Sequence, residues 1–132
     1  MPKILLIEDE ALLLQMFEKK LKLEGFQVET ALRGQTGLEK AKSLQPDLIL
    51  LDILMPGMDG FEVMEKLKSD PETKKIPVVF LTNLSRDEGD ISKGLEVGAI
   101  AYLVKAHYTP SQVVVKLKEL LKAYAPKEET PS

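Results

Sequence analysis

Three short apolar runs punctuate the chain: Ile4 to Ile7, Leu48 to Leu51 and Val78 to Leu81. A continuous apolar tetrad reads as a strand buried on both faces, as in a parallel sheet covered by helices. Two weaker runs, Gln27 to Ala31 and Ala101 to Val104, predict two further strands. The segments between them have helical spacing. Leu13, Met16, Phe17 and Leu21 mark the apolar stripe of a first helix, which Gly25 stops. A second helix is predicted over Gly34 to Leu44, ended by Pro46. The third begins at Asp59-Gly60-Phe61-Glu62, where Asp59 can cap and Glu62 can reach back, and it ends near Asp70-Pro71. The fourth starts with the same kind of box, Ser85-Arg86-Asp87-Glu88, and stops at Gly98. The fifth has the clearest start, Thr109-Pro110-Ser111-Gln112: a capping threonine, proline at the first helical position and glutamine three residues after the cap. Val113, Leu117, Leu120, Leu121 and Tyr124 give it an apolar stripe.

Strands and helices thus alternate five times. That pattern predicts an α/β fold: a parallel sheet with helices on both faces and right-handed crossovers. One domain is expected over residues 1–124, followed by a short polar tail, Ala125 to Ser132, predicted to be disordered. Ligands of such sheets bind beyond the carboxyl ends of the strands, where the strand order reverses.

Composition narrows the chemistry. The 132 residues contain no cysteine, which excludes disulfide frameworks, thiolate zinc sites and cysteine nucleophiles. Eighteen basic against twenty-one acidic residues give a net charge of -3. General adhesion to nucleic acid or to an anionic membrane needs a basic surface, so neither is expected. The apolar run at Ile4 to Ile7 is too short for a secretory signal, and no segment approaches the roughly twenty apolar residues of a membrane span. A cytoplasmic location is predicted.

The strand ends are unusually polar. Glu8 and Asp9 follow the first strand, Asp52 closes the third, Thr82 follows the fourth and Lys105 follows the fifth. Alone, each has a plainer reading: an aspartate at a strand end is usually a cap, and a lysine there is usually solvated. Together they predict one rim holding three carboxylates, a hydroxyl and an ammonium, suited to phosphoryl transfer. Two carboxylates about 6 Å apart repel by roughly 3 kcal/mol at an effective dielectric near 20. Three in one cleft therefore call for a cation, and hard oxygen donors suit Mg²⁺.

The Glu8-Asp9 pair, Asp52 in LILLDILMPGMDG, Thr82 in VVFLTN and Lys105 in AYLVKA resemble the receiver domain of bacterial response regulators, over residues 3 to about 124. The resemblance implies a flavodoxin-like, doubly wound (βα)5 fold with strand order 2-1-3-4-5. It implies that Asp52 accepts a phosphoryl group from a sensor histidine kinase or a histidine phosphotransfer protein. Glu8, Asp9, Asp52 and the backbone carbonyl of Leu54 would hold Mg²⁺, with Glu8 acting through water. Lys105 and Thr82 would stabilise the phosphoryl group. Thr82 and Tyr102 would form a switch that alters partner binding through the fourth helix, fifth strand and fifth helix, in a monomer or a phosphorylation-dependent dimer. Such a domain assists its own phosphorylation and dephosphorylation without being a conventional enzyme.

Four features depart from the commonest family pattern. Glu8 stands where aspartate is usual, and Asn83 where a small residue is usual. Ala106 stands where a proline often follows a cis bond. A cis non-proline bond costs about 3 kcal/mol, which favours a trans Lys105-Ala106 bond and leaves the aim of the lysine open. Leu54 and Leu84 occupy positions that tune hydrolysis in the family; neither can orient a water, so slow decay of the phosphoaspartate is expected. Two other readings remain. A degenerate receiver would only bind proteins. A haloacid-dehalogenase-type phosphatase would want a DxD motif after the first strand, where this chain has Glu8-Asp9-Glu10. No DNA-binding unit is expected after Ala125, so the sequence reads as a stand-alone domain.

Overall fold

The computed structural model describes residues 2–83 and 93–124. Five strands, β1 (Lys3–Ile7), β2 (Gln27–Ala31), β3 (Leu48–Leu51), β4 (Val78–Thr82) and β5 (Ala101–Val104), form one parallel sheet in the order β2-β1-β3-β4-β5. This is the doubly wound, flavodoxin-like order. The helices are α1 (Ala11–Leu23), α2 (Gly34–Leu44), α3 (Gly60–Ser69), α4, described over 93–96, and α5 (Pro110–Tyr124). The predicted start of the fourth helix at Ser85 and the tail from Ala125 lie outside the described residues.

The apolar tetrads explain the layers. Every residue of β3 and β4 is buried, because helices cover both faces. On one face Ile4, Leu6, Leu48, Leu50, Val79 and Leu81 pack against α1 and α5. On the other, Leu5, Ile7, Ile49, Leu51, Val78 and Phe80 pack against α2 and α3. β2 is an edge strand and alternates accordingly, with Val28 and Ala31 buried and Gln27 and Glu29 exposed.

Local signals place the helix ends. The Asp59 carboxylate accepts a hydrogen bond from the Glu62 N–H at 2.9 Å, capping α3. The box at α5 is reciprocal: the Gln112 N–H donates to Thr109 Oγ1 at 3.2 Å, and the Thr109 N–H donates to Gln112 Oε1 at 2.8 Å. Gly25 and Gly98 take positive φ, 96° and 105°, after α1 and α4. Two stripe assignments need correction. Met16 is 43% exposed, and Leu14 takes its place in the core of α1; Tyr124 is likewise 55% exposed, with Val114 buried instead. Helical periodicity gives the width of an apolar face, but neighbouring elements decide which edge of that face is covered.

Candidate functional site

The chain order reverses direction at β1, whose neighbours are β2 and β3. Ile7 and Leu51 are partners in the β1–β3 register, so the next residues, Glu8 and Asp52, leave the sheet side by side. The Asp52 N–H donates to the Ile7 carbonyl at 2.9 Å, and the Glu8 N–H to the Ala31 carbonyl at 3.0 Å, which fixes both backbones. Carboxylate oxygens of Glu8, Asp9 and Asp52 all lie within 4.8 Å of one another. Glu8 and Asp52 are buried and Asp9 is partly exposed, so the cluster opens to solvent on the Asp9 side.

Lys105 begins a single 3-10 turn, Lys105–His107, immediately after β5. Its side chain is only 8% exposed; Nζ donates to Glu8 Oε1 and lies 3.7 Å from Asp52 Oδ2. The described residues contain no cis peptide bond, so the Lys105-Ala106 bond is trans and the ammonium nevertheless reaches the carboxylates. Thr82, the last residue of β4, is fully buried and pairs in register with Val104, next to Lys105. The structure therefore brings Glu8, Asp9, Asp52 and Lys105 into one pocket and ends β4 with Thr82 at the same edge of the sheet.

Burial dominates the electrostatics of Glu8 and pushes its carboxyl up to about 7. The Lys105 ammonium opposes that rise, and the Asp52 carboxylate adds to it. A buried carboxylate that keeps its proton up to about 7, beside two others, lacks enough positive charge around its ionised form, and a cation supplies it. All three donors are hard oxygens, one of them open to solvent, and that set fits Mg²⁺ better than a soft metal.

The Asp52 carboxylate is oriented by its own chain: Oδ1 accepts a hydrogen bond from the Ile53 N–H at 2.8 Å, which turns Oδ2 towards Lys105. The loop that follows is held by α3, whose Gly60 N–H donates to the Ile53 carbonyl at 2.8 Å. A Cβ at Gly60 would overlap the Asp52 carbonyl oxygen, so only glycine lets the helix start this close. The sequence reading missed that role; its one sign was glycine directly after the capping Asp59. Leu54 is 54% exposed in this loop, and Leu84 lies outside the described residues. Tyr102 is half-buried on β5, in register with Phe80, their rings 6.0 Å apart. His107, in the turn after Lys105, is exposed.

The sequence matches the family described as the response regulator receiver domain over residues 4–118. The chain belongs to that family. Among curated relatives it is 48% identical to the response regulator PleD of Caulobacter vibrioides over 103 residues, 78% of this chain and 22% of PleD. It is 36% identical to the phosphate regulon transcriptional regulatory protein PhoB of Rhizobium meliloti over 126 residues, 96% of this chain and 55% of PhoB. The receiver thus spans about a fifth of one relative and about half of the other. Among solved structures, the chemotaxis protein CheY4 of Vibrio cholerae superposes with a TM-score of 0.83 at 32% identity, covering 90% of this chain and 98% of that one. Receiver domains are phosphoacceptors of two-component systems and bind Mg²⁺ at an acidic pocket, which matches the acidic cluster of this receiver. Among the described residues, no helix is long and apolar enough to cross a membrane.

Proposed function

We propose that this receiver is a Mg²⁺-dependent phosphoacceptor switch in which Asp52 takes a phosphoryl group from a histidine kinase or a histidine phosphotransfer protein. The observation that carries this reading is the buried Asp52 carboxylate, clustered with Glu8 and Asp9 and 3.7 Å from the Lys105 ammonium. A carboxylate oxygen of Asp52 attacks phosphorus, the bond from phosphorus to the donor's imidazole nitrogen breaks, and the electron pair returns to that nitrogen. The Ile53 N–H holds Asp52 Oδ1, so the nucleophile enters the step already oriented. The Lys105 ammonium, released from Glu8, meets the incoming phosphoryl oxygens, and the Thr82 hydroxyl donates to one of them. Glu8, Asp9, Asp52 and the Leu54 carbonyl would hold Mg²⁺. When bound, the ion neutralises charge on the phosphoryl oxygens in the transition state.

Output follows from Thr82 and Tyr102, which end and flank β4 beside α4 and β5. Movement of these side chains towards or away from the phosphoryl group alters the α4-β5-α5 surface and so the binding of a downstream protein. The net charge of -3 supports a protein partner over direct contact with nucleic acid or membrane. Incubation with acetyl phosphate and Mg²⁺, followed by intact-mass measurement, tests the reading. A gain of one phosphoryl group that is abolished in Asp52→Asn supports it. No gain would favour a receiver that only binds proteins, and steady turnover of small phosphoesters would favour a phosphatase.

A further inference from the structure

Beside the phosphoacceptor pocket, a row of rings crosses from α3 to β5. Phe61 on α3 meets Phe80 on β4 edge to face, with centroids 5.5 Å apart, and Phe80 meets Tyr102 on β5 at 6.0 Å. Lys93 Nζ sits 4.4 Å from the centre of the Phe61 ring, tying α4 to the far end of the row. The next residue of α4 is Gly94. A Cβ there would lie 2.7 Å from Tyr102 Cδ2 and 3.2 Å from both Tyr102 Cε2 and Phe80 Cδ2. The Tyr102 ring therefore rests directly on the backbone of α4, at a place where any side chain would displace it. Phe80 is fully buried and braced by Phe61, so a ring pushed off Gly94 has no room on that side.

We propose that Gly94 is the positioning residue of this switch: it provides the seat for the Tyr102 ring on α4 and thereby sets how readily the phosphorylated state forms. The inference rests on the phosphoacceptor reading. Crowding the seat disfavours the arrangement in which the Tyr102 ring rests on Gly94, which we assign to the unphosphorylated, resting state. A change that disfavours the resting state must tighten binding of whatever favours the other state, because coupling between two sites is reciprocal. Gly94 touches none of the carboxylates or Lys105, so its influence on the pocket runs through Tyr102.

The probe is beryllofluoride with Mg²⁺, a mimic of the phosphoryl group on aspartate. The protein carries 3-fluorotyrosine, whose three fluorine signals are assigned by tyrosine-to-phenylalanine variants. Gly94→Ala is expected to move the residue-102 signal, before any analogue is added, towards its position in the analogue-bound wild type. It is also expected to tighten beryllofluoride binding about fivefold or more, an effect that disappears in a Tyr102→Ala background. Alanine is the better helix former, so Gly94→Ala should fold, and Gly94→Ser provides a second variant. An unmoved signal, unchanged or weaker binding, or an equal change without Tyr102 would overturn the proposal while leaving the phosphoacceptor reading standing. A wild-type protein that binds no beryllofluoride, like Asp52→Asn, would overturn both.

Discussion

The ammonium of Lys105, just after β5, is hydrogen-bonded to the carboxylate of Glu8, just after β1, although 97 residues and two intervening strands separate them. The pair sits over Asp52, so the same lysine neutralises two carboxylates in the resting pocket. Metal binding and phosphorylation both have to rearrange it, and that gives the pocket measurable signatures.

One signature is the pH dependence of stability. Glu8 is raised from 4.5 to about 7 by burial, so the folded state holds its proton more tightly than the unfolded chain does. At Glu8 the folded protein binds more protons than the unfolded one between those two values, so the contribution of Glu8 to stability is full below pH 4.5 and is lost as pH rises through about 7. Urea melts without metal should show this decline, of order 1–3 kcal/mol, and Glu8→Gln should flatten it. Mg²⁺ must displace the same proton, so its apparent affinity should rise with pH over this window. A Mg²⁺ titration at pH 6 and pH 8 checks the second half.

Replacing Lys105 should split two properties that a merely damaged pocket would lose together. Lys105→Met removes a positive charge from beside the carboxylates, so Mg²⁺ should bind roughly tenfold more tightly. The same variant lacks the group that meets the phosphoryl oxygens, and phosphorylation by acetyl phosphate should slow by roughly a hundredfold. Calorimetric Mg²⁺ binding and phosphorylation kinetics on one preparation decide it.

Gly60 holds α3 against the Asp52 backbone. Gly60→Ala should lower stability by about 1–3 kcal/mol through overpacking and weaken Mg²⁺ binding at the same time. By contrast, Asp59→Ala removes only the helix cap and should cost about 1 kcal/mol with Mg²⁺ binding little changed. Chemical melts and metal titrations of the two neighbours separate positioning from capping.

The lifetime of the phosphorylated protein is the last test. Leu54 is exposed two residues beyond Asp52 and has no group to orient an attacking water. Leu54→Asn adds one, and the phosphoaspartate should decay several-fold faster, as followed by loss of the phosphorylated species in intact-mass spectra. An unchanged lifetime would remove Leu54 from the hydrolytic path.

Much of this receiver could be read directly from its residues. The tetrads Leu48–Leu51 and Val78–Leu81 have no polar position to spare for solvent, so they specify central strands wherever the chain places them. The end of each apolar run also marks the edge of the sheet, which is why Glu8, Asp9, Asp52, Thr82 and Lys105 could be picked out before any coordinate was known. The reciprocal box at Thr109 and Gln112 is local chemistry, complete within four residues. Other features depended on contacts between distant elements. Met16 and Tyr124 fit the helical period but lie at the uncovered edges of their faces.

What the sequence determined by itself was the alternation of buried strands with amphipathic helices and the polar residues at the ends of four of the five strands, because burial and hydrogen bonding act on near neighbours. Tertiary structure alone decided that Lys105 would pair with Glu8, that a buried Glu8 would hold its proton up to about 7, and that Tyr102 would rest on Gly94. Each of those depends on the distance and dielectric between groups far apart along the chain, and these exist only once the sheet has set its strand order and register.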